Sequence, residues 1–380
     1  MNKKVVAILM ALSLALSVAV TGCGQAASNA KVINIGFIGP MTGDVKTFGE
    51  STKNAFDLAI KENGPTVAGY TIKTFYGDDA NDATQAVNVA TQLITQDHVA
   101  AIVGSVTSKA TLPMSQVAND NKVVLISPTA TATSVTVDNG ARKDYVFRAC
   151  FIDPFQGQAA ATFATQNLKA KTAAIMYDQT NPYSKGLAQT FNDNFTKDGG
   201  KIVADEAYST NDTDFSAVLT NIAQLQPDIL YLPDYYNKVS LIGKQARAKG
   251  VKAVFMGGDG WDSSQLDFKT MDGGYFTNHY SSDDPRPEVQ KWVADYKQAY
   301  GETPDALATL AYDATNLLLN AIKTAGSNDP TKIRDAMQAT KDFPAVSGKI
   351  TFDQNGNPIK AAVVLQIKDG KEVYAATVQP

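Results

Sequence analysis

Two short segments place small hydroxyl residues directly after apolar runs. In one, the apolar run 123–126 leads into Ser127-Pro128-Thr129-Ala130-Thr131-Ala132-Thr133-Ser134. In the other, Ala101-Ile102-Val103 leads into Gly104-Ser105-Val106-Thr107-Ser108. A hydroxyl donates one hydrogen bond and accepts two, and small residues let a ligand approach the backbone. The carboxyl edge of an open α/β sheet is where such loops and ligands meet. Two of them on successive strands suit one small polar group, above all a carboxylate. For either loop alone, capping of the next helix explains the hydroxyls equally well. The pair together favours a site.

Residues for catalysis are sparse. The chain has two histidines, so a Ser–His or Cys–His nucleophile system has little to draw on. His98 falls at a helix-to-strand turn and is expected to be solvated. His279 has no second histidine beside it. No HExxH, paired CxxC or GxxxxGK[ST] pattern occurs. Gly257-Gly258-Asp259-Gly260 fits neither the dinucleotide nor the phosphate loop. Asp78-Asp79 with Asp82 lacks the spacing of a calcium loop and reads as a strand end and helix cap. The expectation is a binding protein rather than an enzyme, with no catalytic residue, cofactor or metal.

Binding residues are better represented. The first half offers Phe48, Ser108, Thr129 and Thr131 at strand ends, and the second offers Tyr183, Tyr235 and Asp259. Hydroxyls and helix N-terminal amides favour an anion. A buried carboxylate favours a cation, and aromatic rings suit apolar or cationic groups. A zwitterion satisfies both ends.

Those residues need a scaffold of alternating strands and helices. Of 380 residues, 44% are hydrophobic and 19% charged, the balance of a globular protein of two domains. The net charge of −4 and the absence of a basic tract give no reason to expect nucleic acid. Met1-Asn2-Lys3-Lys4 and the uncharged apolar run 5–20 form a signal-peptide pattern ending in Val20-Thr21-Gly22-Cys23, which resembles a bacterial lipobox. The expectation is a leader over 1–22, lipidation of Cys23 and a tether over 23–31. Residues 32–38 read as a strand, followed by a loop over 39–49 and a helix from about residue 51. Further strands at 70–76, 99–103 and 123–126 alternate with helices at 83–96 and 110–119. After 145–151 the rhythm repeats through a strand ending at residues 254–256. Three helices without intervening strands follow (287–300, 304–325, 330–339), then strands over 348–378. Alternation of this kind argues for parallel sheets covered on both faces.

In order, these pieces resemble the branched-chain amino-acid-binding family of type I periplasmic binding proteins. The resemblance is carried by Ile33-Asn34-Ile35-Gly36, Gly39-Pro40-Met41-Thr42-Gly43, Asp78-Asp79 before Gln85-Ala86-Val87, Ile126-Ser127-Pro128-Thr129-Ala130-Thr131 and Phe255-Met256-Gly257-Gly258-Asp259-Gly260. It implies an α/β fold of two doubly wound parallel-sheet lobes joined by a three-strand hinge. Lobe 1 would hold 32–150 and 281–352, and lobe 2 would hold 151–280 and 353–380, with crossings near 149–153, 277–281 and 352–358. Ser108 and Thr131 look like the carboxylate-binding hydroxyls, and Thr129 like the residue whose carbonyl receives the ammonium. Asp259 stands where the family places an acid for the α-ammonium. Tyr235 resembles the aromatic that closes over the ligand, Tyr183 a wall residue, and Phe48 a side-chain pocket residue. Thr107 replaces a cysteine found in some members, so their disulfide is absent. Trp261, just after Asp259, is expected to narrow the pocket.

The function so implied is a monomeric, extracytoplasmic solute-binding lipoprotein. It would capture an amino acid, branched-chain or related, for an ABC permease in the membrane. Two alternatives share the fold: a binder of another small carboxylate or amide, and a ligand-sensing domain for a signalling partner.

Overall fold

The computed structural model describes residues 31–380. The expected leader, Cys23 and all but the last residue of the tether lie outside the described residues. In chain order the first part contains β1 (Val32–Gly39), α1 (Lys46–Asn63), β2 (Thr66–Val67), β3 (Tyr70–Asp78), α2 (Ala83–Thr95), β4 (Ala101–Val103), α3 (Ser108–Asp120), β5 (Val124–Ser127), β6 (Val137–Asp138), β7 (Ala141–Arg142) and β8 (Val146–Arg148). Then come α4 (Asp153–Gln166), β9 (Thr172–Asp178), α5 (Pro182–Lys197), β10 (Lys201–Tyr208), α6 (Ser216–Leu225), β11 (Ile229–Tyr231), α7 (Tyr236–Ala248), β12 (Val254–Gly257) and β13 (Tyr275–Asn278). The last part is α8 (Pro287–Tyr300), α9 (Ala306–Ala325), α10 (Pro330–Gln338), β14 (Phe343–Ala345), β15 (Gly348–Ile350), β16 (Ala362–Lys368) and β17 (Lys371–Val378).

Two sheets result. One has the order β2-β3-β1-β4-β5-β8, the other β10-β9-β11-β12-β13-β16-β17. Pairing is parallel from β3 to β8 and from β10 to β13. It turns antiparallel where β16 and β17 join. Every residue of β4 and β5 is buried, as helices on both faces of a parallel sheet require. That is why these strands read as unbroken apolar runs. The late helix α9 returns to the first sheet. Its Leu310, Leu317, Leu318 and Ile322 share one core with Ile33, Ile35 and Phe37 of β1 and Ile126 of β5.

The chain passes between the sheets three times: after β8, after β13 and between β15 and β16. The last passage turns at Asp353, whose Oδ1 accepts from the amides of Asn355 and Asn357, both at 2.8 Å. Gly356 sits there at φ +74°, and an added Cβ would lie 2.8 Å from the Val146 carbonyl oxygen. A left-handed backbone with no room for a side chain is a glycine position.

Element ends differ locally from the sequence reading. Helix α1 starts at Lys46 rather than near residue 51, which puts Phe48 on its first turn instead of in a loop. The preceding turn is held by Asp78, which accepts from the amides of Met41 (3.0 Å) and Thr42 (3.3 Å) and from the Thr42 hydroxyl (2.6 Å). That anchor comes from β3, 36 residues away, and no local periodicity reports it. Asp82 caps α2 as expected, accepting from Gln85 N at 2.8 Å, and His98 is exposed. Among the described residues no helix is long and apolar enough to cross a membrane.

Candidate functional site

The two hydroxyl loops lie side by side because β4 and β5 are parallel neighbours. Their hydroxyls stitch them together. Ser127 Oγ donates to Ser105 O at 2.7 Å, and Thr129 Oγ1 donates to Val106 O at 2.6 Å. Ser108 Oγ accepts from Ala132 N at 3.2 Å. Thr107 caps α3, accepting from Ala110 N at 3.4 Å. Having accepted one bond, the Ser108 hydroxyl keeps its proton to donate, and it lies on the first turn of α3, where the helix dipole favours an anion.

The opposite wall comes from the second sheet. The Tyr183 and Tyr235 rings stack at 5.3 Å with an interplanar angle of 4°. Phe48 crosses from the first sheet's side and meets Tyr235 edge-on at 5.7 Å and Tyr236 at 5.1 Å. Edge contacts of this kind are favourable aromatic geometry. Polar contacts bridge the same gap: Thr47 Oγ1 and Ser263 Oγ at 3.0 Å, and Tyr236 OH donating to Asp44 O at 3.2 Å. The lobes therefore meet over the cleft. Phe48, Ser108, Thr129, Tyr183, Tyr235 and Asp259 surround a cavity of ≈ 20 Å³, together with Val106, Thr107, Gly260 and Leu307. That is room for about one water, against roughly 300 Å³ or more in ordinary ligand pockets. An ordinary small-molecule ligand does not fit the space in this arrangement.

Asp259 is the most elaborately held group in the site. Its Oδ1 accepts from Tyr183 OH at 2.8 Å and from Gln156 Nε2 at 2.9 Å. Its Oδ2 lies 3.0 Å from His279 Nε2. Tyr183 OH in turn accepts from Gly260 N at 2.9 Å, so the tyrosine fixes both the side chain and the loop. Carboxylates have about four acceptor positions, and three are used. The fourth, on Oδ2, is open to a further donor. Burial raises the Tyr183 phenol well above its ordinary value, with the Asp259 charge adding to it. The phenol thus stays a neutral donor.

Six of the seven residues singled out from sequence come together here, and Thr131 does not. It is buried beside α4: its carbonyl accepts from Asp153 N at 3.0 Å. Asp153 is pushed up to about 8 by burial, with the Thr131 hydroxyl opposing, the Asp259 charge adding and Arg148 opposing. Trp261 is also not a wall of the cavity. Its ring is fully buried, donates from Nε1 to Leu232 O at 2.9 Å and packs against Phe276 at 6.0 Å. A short 3-10 turn, Asp259–Trp261, sends Asp259 to the cleft and the indole into the core.

Gln156, His279, Val106 and Leu307 were not singled out in advance as site residues. Gln156 lies on the first turn of α4, and His279 follows β13, so both belong to segments leading from one sheet to the other. The available signal was that a lone histidine sat next to an expected crossing.

A family model for periplasmic binding proteins matches residues 32–372. The Leu/Ile/Val-binding protein BraC3 of Rhizobium johnstonii is 31% identical over 350 residues, covering 90% of this chain and 94% of that protein. Among solved structures, the leucine binding protein LivK from Thermotoga maritima matches with a TM-score of 0.87 at 37% identity, covering 92% of this chain and 99% of that one. The branched-chain amino acid transporter substrate binding protein LivJ from Streptococcus pneumoniae, in complex with isoleucine, matches at 0.85 and 33% identity, covering 92% and 100%.

Proposed function

The chain belongs to the periplasmic binding protein family, and on that premise we propose that it is the extracytoplasmic binding component of an ABC importer for a branched-chain or related amino acid. One observation carries the reading. Between two lobes, a single site offers a carboxylate with one open acceptor position at one end and the Ser108 hydroxyl on a helix N-terminus at the other. Those ends are complementary to an α-ammonium and an α-carboxylate. Phe48, Val106, Leu307 and Tyr235 supply apolar surface for a side chain. The lobes part to admit the solute and close on it, a hinge motion about the three connecting segments. In this reading the lobes are 32–150 with 281–352, and 151–280 with 353–380. Lipid on Cys23 tethers the protein near its permease, and the mass of the Cys23 peptide reports whether it is there.

A thermal-shift panel of the free amino acids, their deaminated analogues, benzoate and urea tests the ligand class. At least one apolar amino acid raises the melting temperature. Saturation at about 100 times its dissociation constant adds roughly 2.7 kcal/mol. Shifts only with benzoate or urea would replace the amino acid with another small carboxylate or amide.

Ser108→Ala removes a hydroxyl that donates to the ligand's carboxylate, an interaction with a charged group worth roughly 1.5–3 kcal/mol. Calorimetry of the variant gives affinity about ten- to a hundred-fold weaker, and the melting temperature without ligand falls as well, because Ala132 N loses the acceptor it has in Ser108 Oγ. An unchanged dissociation constant would move the carboxylate contact elsewhere.

A further inference from the structure

The Asp259–His279 contact joins two groups that can both carry charge, inside a cleft that admits little water. The His279 side chain is fully buried and stacks on Phe151 at 3.7 Å between ring centroids. Its Nε2 faces Asp259 Oδ2, and its Nδ1 has no hydrogen-bond partner among the described residues. Only one tautomer fits: the neutral ring with its proton on Nε2, donating to Asp259. Protonating the ring would place an N–H on Nδ1 with no acceptor, and an unmet buried donor costs about 1–3 kcal/mol.

Charge leads to the same result. A ligand ammonium and an imidazolium would set two cations against one carboxylate. Lys360, the other cation acting on His279, also disfavours its charging, and only Asp259 favours it. Burial lowers Lys360 to about 8, with Asp313 opposing and Arg286 adding to the lowering. The second nearby acid, Asp153, is held largely protonated by burial and adds little negative charge. Without ligand, burial and Lys360 keep the ring neutral until the pH falls below the ordinary imidazole value, where the imidazolium supplies the cation that Asp259 lacks.

We infer that His279 is a positioning residue that competes with the ligand: neutral, it orients Asp259 and leaves its charge for the ammonium, and protonated, it takes the ammonium's place. The inference rests on the reading of Asp259 as the ammonium's partner. It makes capture of a zwitterion release a proton wherever the imidazole is charged in the ligand-free protein. Burial lowers the His279 value below its ordinary one, with the Asp259 contact opposing. The affected window is therefore the acidic side of about pH 6.5. Affinity falls there as pH drops, approaching about tenfold per pH unit for one proton displaced.

Ring-nitrogen NMR of the purified protein reads this directly, because His98 is the only other histidine and His98→Gln removes its signals. At the acid pH where the ligand-free protein shows His279 imidazolium signals, adding L-leucine converts them to those of the Nε2–H tautomer. Adding 4-methylpentanoate, which has no ammonium, does not. A ring that stays neutral down to the lowest pH at which the protein is folded overturns the inference. Calorimetry in buffers of different ionisation heat shows proton release on leucine binding. The release disappears in His279→Gln, whose amide still donates to Asp259. Leucine heat with unmoved His279 signals, or proton release that persists in His279→Gln, overturns the inference and leaves the proposed function standing. No leucine heat at any pH overturns the proposed ligand, and this inference with it.

Discussion

Asp259→Asn weakens binding of the amino acid by about two to three orders of magnitude while leaving the protein folded. The substitution keeps the shape of the side chain. The remaining oxygen can still accept from Tyr183 and Gln156, which both contact Oδ1. The new amide can donate to His279 Nε2 only with the ring proton on Nδ1, which has no acceptor, so the variant also loses about 1–3 kcal/mol of stability, read in its melting temperature without ligand. What the asparagine cannot supply is charge. Stranding one member of a buried ion pair costs roughly 3–5 kcal/mol, and 1.4 kcal/mol is tenfold in affinity. Crossing parent and variant with leucine and 4-methylpentanoate isolates the pairing energy. The deaminated ligand loses far less, since it has no ammonium to strand. A coupling near zero would make Asp259 a loop anchor and point to a neutral or purely anionic solute.

Trp261→Ala destabilises the protein by roughly 3–5 kcal/mol, the usual cost of removing a buried large aromatic side chain, and acts on folding before binding. The indole fills space beside Phe276 and donates its one proton to Leu232 O. Truncation opens a cavity and removes one of the two donors to that carbonyl, which keeps Asp234 N at 2.9 Å. Packing is tight enough that a Cβ on Gly257 would lie 2.2 Å from Trp261 Nε1. Urea denaturation without ligand shows the loss as a lower midpoint at unchanged slope. A wall residue would behave differently, with unchanged stability and altered ligand preference. That outcome would return Trp261 to the pocket.

The contrast between Asp259 and Trp261, two residues apart, shows where the sequence was legible. Parallel strands covered on both faces must be apolar along their length, so β1, β4, β5 and β12 announced themselves, and the loops at their carboxyl ends followed. Hydroxyls after β4 and β5 were correctly associated, because neighbouring parallel strands bring their ends together. Whether a hydroxyl faces the ligand or the next loop is a matter of rotamer and distant partners. Thr129 spends its hydroxyl on Val106 O, and Thr131 lies beside Asp153. The 3-10 turn at Asp259–Trp261 reverses side-chain direction over two residues, which no period-2 pattern conveys. His279 and Gln156 were invisible for another reason. They lie 20 and 103 residues from Asp259, and only the passage of the chain between the sheets brings all three together.

A crystal structure of the protein with the amino acid that gives the largest thermal shift shows whether a zwitterion is clasped between the lobes with its ammonium on Asp259. That amino acid is expected in the space bounded by Phe48, Ser108, Tyr183, Tyr235 and Asp259. Its ammonium lies about 2.7–2.9 Å from Asp259 Oδ2, as charge-assisted bonds do, and its carboxylate meets Ser108 at the start of α3. A ligand seated there with its carboxylate toward the second sheet, or bound outside the cleft, would contradict that arrangement.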